Sequence, residues 1–149
     1  MLRRVVLGAR DRRLLRETDA IIGVDEVGRG ALAGPVVACA VRFEAIPVDD
    51  GVRDSKLLSA KQREAALGRL LSRGVRWAVC EIGPGVIDRV NILEATRLAM
   101  RSSALAVIGP SCIVVTDHVD PGDLGCRVIS PARADRDFFC VAAASIIAT

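Results

Sequence analysis

Residues 21–37 read Ile21-Ile22-Gly23-Val24-Asp25-Glu26-Val27-Gly28-Arg29-Gly30-Ala31-Leu32-Ala33-Gly34-Pro35-Val36-Val37, and the order of residue types there sets the expectation for the whole chain. A β-prone run leads into two adjacent carboxylates, a glycine-rich turn with a central arginine follows, and a second apolar run closes the stretch. Carboxylates are costly to bury unpaired, so Asp25 and Glu26 at a strand end invite a divalent cation. The same residues also suit a plain hairpin, with the acids flanking the turn and Gly28 and Gly30 supplying positive φ.

Working outward, 149 residues make one domain with a substantial core. Hydrophobic residues are 51% of the chain, yet there are only three Phe, one Trp and no Tyr. The core must be built from Val, Ile, Leu and Ala, the habit of an α/β protein with buried strands. Charge sums to +3, and all but two of the 21 basic residues are Arg, an excess that codon bias explains better than function does. The planar guanidinium suits phosphate, so a polyanionic partner is permitted.

Cys39, Cys80, Cys112, Cys126 and Cys140 contain no C-x-x-C pair and read as small core residues of a reducing compartment. No apolar run approaches the ~20 residues of a membrane span. The first sixteen residues hold six Arg but lack the apolar core of a signal peptide, and Asp11 argues against a transit peptide. A cytoplasmic enzyme or binding module is the expectation.

Along the chain, residues 1–20 form a basic segment of undefined structure, and strands are predicted over 21–25 and 35–43. A connection through Pro47, Asp49, Asp50 and Gly51 delivers Asp54-Ser55-Lys56 before a helix over 60–72. Ser59 and Gln62 form its capping box and Gly74 its stop. A strand over 75–82 precedes one long helix over 86–106, with Val90, Leu93, Met100 and Ala104 on its apolar face and Ile92, Ala95 and Ala99 beside them. Short strands over 112–116 and 127–129 and an alanine-rich helix over 137–148 complete a mixed sheet with helices packed on it.

Asp25 and Asp117 each close a strand, and adjacent strands would set them side by side. Carboxylates brought together that way share protons or hold cations, and oxygen-only ligands favour Mg²⁺ or Mn²⁺ over zinc. His118 reads as a solvent-facing loop residue.

The stretch from Gly23 to Gly30, with Leu32-Ala33-Gly34-Pro35-Val36, resembles the signature of the ribonuclease HII family, the type 2 ribonucleases H. Further motifs follow in the family's order: Asp54-Ser55-Lys56; Asn91-Ile92-Leu93 with Ala95-Thr96 and Ala99-Met100; Asp117 at a strand end; and Arg133-Ala134-Asp135 followed by Ala142 to Ala148. The resemblance implies a ribonuclease H-like α/β fold with a mixed five-stranded sheet flanked by helices. It implies a catalytic, metal-holding set of Asp25, Glu26, Asp117 and Asp135, with Mg²⁺ or Mn²⁺ as cofactor in a two-metal mechanism. The implied reaction is cleavage of the RNA strand of RNA–DNA hybrids, or at ribonucleotides embedded in DNA, leaving 3′-hydroxyl and 5′-phosphate ends. Gly28, Arg29 and Gly30 would then read the ribonucleotide's 2′-hydroxyl, and Ser55 and Lys56 would face phosphates.

Four positions depart from the family pattern: Leu57 and Arg133 stand where lysine is usual, His118 where glycine is usual, and Thr149 where lysine closes the last motif. The family also continues into further helices that carry a tyrosine stacking on the nucleotide. Their absence predicts lower stability and turnover, and self-association through the uncovered end of the run Val141 to Ala148, where the full-length family member would be a monomer. The alternatives are a truncated, catalytically impaired hybrid-binding module, or another nuclease or recombinase on the same fold.

Overall fold

The computed structural model of the protein describes residues 7–28, 34–47, 52 and 57–149. Strand β1 (Ala20–Val27) pairs antiparallel with β2 (Val36–Phe43), from Ile21 opposite Phe43 to Val27 opposite Val37. β3 (Arg76–Ile82) adds antiparallel to β2, while β4 (Cys112–Thr116) lies parallel to β1 and β5 (Arg127–Ile129) parallel to β4. The resulting five-stranded mixed sheet has the order β3-β2-β1-β4-β5.

Helices α1 (Ala9–Leu14), α2 (Ala60–Ser72), α3 (Pro84–Val90), α4 (Ile92–Leu105), α5 (Ala134–Asp137) and α6 (Phe139–Ala148) complete the described elements. The central strands are apolar at successive positions because both faces are covered. Ile21, Cys39 and Val41 share one core with Leu70 of α2 and Val141 to Ala144 of α6. Ile22, Val24, Ala38 and Ala40 share the other with Ala99, Met100 and Ala104 of α4. Alanines let α6 lie close to β1, and Gly23 makes the approach closer still. A Cβ at Gly23 would fall inside the Cys140 carbonyl.

The expected strands and the helix over 60–72 are present, and Ser59 and Gln62 form the reciprocal capping box. The long helix expected over 86–106 is instead two helices. Asn91 adopts φ 74° and ψ 168°, and its side chain accepts the N–H of Glu94 at 3.0 Å, so it caps α4 rather than continuing α3. The break explains why Val90 and Leu93, expected on the apolar face, are exposed while Ala95, Ala99, Met100 and Ala104 are buried. The terminal helix expected over 137–148 is likewise divided, with Phe138 extended between α5 and α6. The run Val141 to Ala148, expected to leave surface uncovered, is buried except for the half-buried Ile147. Helix α1 lies in the segment for which no structure was assigned from sequence.

Candidate active site

The parallel register of β1 and β4 sets Val24 opposite Thr116, so the next residues stand side by side: Asp117 just past β4, and Asp25 inside β1, which runs on to Val27 rather than ending at the acids as expected. The Asp117 N–H donates to the Val24 carbonyl at 3.3 Å, which carries the pairing one step past the strand. Asp135 arrives on the short α5, whose Ala134 N–H donates to Asp117 Oδ1 at 3.0 Å. Asp25, Asp117 and Asp135 thereby bring carboxylate oxygens within 4.8 Å of one another, in a set able to hold a metal ion.

Asp25 is 5% exposed and Asp135 is 4% exposed. Burial, then the neighbouring Glu26 charge, and more weakly Asp117 and Asp135, push the Asp25 carboxyl from 3.8 up to about 9, against the opposing effect of the Glu26 N–H. That N–H donates to Asp25 Oδ1 at 2.8 Å. Across the hairpin, Cys39 faces Asp25, and burial followed by the Asp25 charge pushes its thiol up to about 12. A group with so raised a pKa is inert as a nucleophile near neutral pH.

Glu26 is half-buried and stands outside the set of three. Period-two alternation assigns Ile21, Gly23 and Asp25 to one face of β1 and Ile22, Val24 and Glu26 to the other. Gly28 follows the strand at φ 90°, and a Cβ there would strike the Pro35 carbonyl oxygen, so the turn requires glycine. Arg29, Gly30, Ser55 and Lys56 lie outside the described residues.

His118 is exposed, as the sequence suggested, at φ 68°, and its N–H donates to the Pro131 carbonyl at 3.1 Å. Arg133, before Asp135, has φ 58°. Non-glycine residues at positive φ are uncommon, so two in the segments that carry Asp117 and Asp135 mark backbone fixed by its surroundings. Two supports escaped the sequence reading. The Thr116 hydroxyl donates to the Val119 carbonyl at 2.6 Å and shares a 2.6 Å hydrogen bond with Ser130, bracing the turn that holds Asp117. Asp11 on α1 is the second; its only local sign was an acid in a basic segment.

Residues 22–149 match the family described as ribonuclease HII. The chain is 41% identical over 143 residues to ribonuclease HII of Chlorobium chlorochromatii (strain CaD3), covering 91% of this chain and 68% of that one. It is 40% identical over 141 residues to ribonuclease HII of Pelodictyon phaeoclathratiforme (strain DSM 5477 / BU-1), again covering 91% and 68%. The crystal structure of ribonuclease H2 from Pyrococcus horikoshii OT3 is similar with a TM-score of 0.71 and 29% identity, over 87% of this chain and 70% of that one. The chain thus spans about two thirds of each of these relatives. With Asp25, Asp117 and Asp135 gathered on a ribonuclease H-like sheet and the family match covering residues 22–149, the chain belongs to the ribonuclease HII family of ribonuclease H hydrolases.

Proposed function

We propose that the protein is a divalent-metal-dependent endonuclease that hydrolyses the RNA strand of RNA–DNA hybrids and cuts at ribonucleotides embedded in duplex DNA, leaving 3′-hydroxyl and 5′-phosphate ends. The observation that carries this reading is the meeting of the Asp25, Asp117 and Asp135 carboxylates within 4.8 Å. Three acids so close, two of them buried, repel one another unless a cation lies between them. Their all-oxygen donor set fits Mg²⁺ or Mn²⁺ better than zinc. Glu26, which follows Asp25 in β1 but stands outside the three-acid set, is assigned as the fourth ligand on the family resemblance alone.

Held by Asp25, Glu26, Asp117 and Asp135, a pair of such cations would supply the Lewis acidity that activates a water and stabilises the leaving 3′-oxygen. The chain's own groups prepare the place. Asp25 Oδ1 and Asp117 Oδ1 each accept a backbone N–H, which fixes both carboxylates. Asp25 gives up the proton that burial and its neighbours otherwise hold on it, so occupation of the site is linked to proton release. The Gly28-Arg29-Gly30 loop reads the 2′-hydroxyl, which distinguishes a ribonucleotide from DNA, and glycine lets backbone approach the sugar closely. Ser55 and Lys56 hold phosphates, which positions the duplex without reading its sequence.

The test uses a DNA duplex with one embedded ribonucleotide and an RNA–DNA hybrid, each with Mg²⁺, Mn²⁺ or excess chelator. The expected result is metal-dependent cutting of both, with ligatable 3′-hydroxyl ends beside 5′-phosphates. Cutting that persists in chelator, or 2′,3′-cyclic phosphate ends, would overturn the proposal.

A further inference from the structure

The acidic centre is also held from the segment that precedes the family match, which begins at residue 22. Asp11 of α1 has no exposed surface. Its Oδ1 accepts the N–H of Phe139 at 2.8 Å and its Oδ2 accepts that of Cys140 at 2.9 Å. These are the leading donors of α6, and Phe138, at the helix's own N-cap, gives no side-chain cap. Arg10 reaches the same place. Its guanidinium pairs with Asp137 at 3.5 Å and lies 5.9 Å from the centroid of the Phe138 ring. Leu7, Leu14 and Leu15 pack against the core and anchor α1.

The residues gripped in this way follow Asp135 directly. The Phe138 N–H donates to the Ala134 carbonyl at 2.8 Å, and the Ala134 N–H donates to Asp117 Oδ1, so little slack lies between the clamp and the acids. A helix as short as α5 has too few internal bonds to hold itself. Its place is set by Asp117 at one end and by α1 at the other.

We propose that Asp11 is a positioning residue of the acidic centre: by capping α6 it fixes α5, and with it the Asp135 carboxylate against Asp25 and Asp117. The consequence for catalysis rests on the metal-dependent nuclease reading, whereas the clamp itself does not. Groups hydrogen-bonded directly to metal ligands, when altered, typically cost about 10–100-fold in metal affinity or activity, and Asp11, which acts one step further out, belongs at the lower end of that range.

The experiment compares the parent chain with Asp11→Asn, which turns one acceptor oxygen into a donor facing an N–H, and with Asp11→Glu, which keeps the carboxylate. Two readouts are taken: amide hydrogen exchange over residues 134–140 without metal, and kcat and KM for single-ribonucleotide cleavage against Mn²⁺ concentration. Asp11→Asn is expected to speed exchange over 134–140, raise the half-maximal Mn²⁺ concentration about tenfold and lower kcat with KM for the duplex unchanged, and Asp11→Glu to recover part of each. Arg10→Ala, which leaves the Asp11 cap in place, takes its place if Asp11→Asn does not fold, with smaller changes in the same directions. A lowered melting temperature with exchange over 134–140, Mn²⁺ dependence and kcat all as in the parent overturns the proposal. A parent that neither binds Mn²⁺ nor cleaves, while exchange still responds to Asp11→Asn, would sink the nuclease reading and leave the clamp standing.

Discussion

Asp25 concentrates the electrostatic problem of this molecule in one side chain. Its folded pKa of about 9 exceeds the ordinary 3.8, so the stability linked to its proton is fully present below about pH 4 and is lost as pH rises through about 9. The metal-free protein should therefore lose melting temperature across that window. Asp25→Asn, isosteric with the protonated acid, should flatten the decline and melt above the parent at pH 8, while abolishing hydrolysis. Parallel melting curves for the two proteins would show that the charge is compensated some other way. Gly23→Ala should act through space alone, since the new methyl group meets the Cys140 backbone. Overpacking of this kind costs about 1–3 kcal/mol, to be read from urea unfolding. Asp25 and Asp117 were legible in the sequence because each ends an apolar β-prone run, a signal contained within a few residues. Asp11 was not, because its partners Phe139 and Cys140 are 128 and 129 positions away and capping at that range leaves no local pattern.

Capping decided where element boundaries were legible. Ser59 and Gln62 occupy adjoining sites in one turn, so the start of α2 could be read from spacing alone. Asn91 makes the same kind of bond, yet apolar residues on both sides keep the helical period, and the break between α3 and α4 was hidden inside what looked like one helix. The division between α5 and α6 was hidden likewise, because their junction depends on α1. Asn91→Ala should cost about 1–2 kcal/mol, since it removes the cap and leaves a Cβ at positive φ, whereas Asn91→Gly should cost only a few tenths. Denaturation midpoints of the two variants check this ordering, and equal losses would mean that the positive φ adds nothing for alanine and that the lost side-chain bond, which both variants lack, accounts for both. At the glycine turn, Gly28→Ala should distort the end of β1 against Pro35. It should impair cleavage at an embedded ribonucleotide more than binding to plain duplex DNA, because phosphate contacts elsewhere supply the sequence-independent attraction. Equal losses of both would make the turn purely structural.

The sheet brings Asp25 inside β1 and Asp117 just past β4, far apart in sequence, into one site. Buried runs and turn residues made the strands and the mixed α/β class legible, but not the order β3-β2-β1-β4-β5, because neighbour choice depends on how α4 and α6 cover the two faces. Only the parallel pairing of β1 with β4 brings Asp117 beside Asp25, and only the turn through Arg133 brings Asp135 to both. This convergence is the proposed divalent cation site. Calorimetric titration of Mn²⁺ into the chain at pH 7.5, with Asp25→Asn, Asp117→Asn and Asp135→Asn beside it, tests it most directly. Saturable binding to the parent, with proton release, is expected, together with its loss or strong weakening in all three variants. Mn²⁺ binding that is absent from the folded parent, or undiminished in the three variants, would contradict the proposed site.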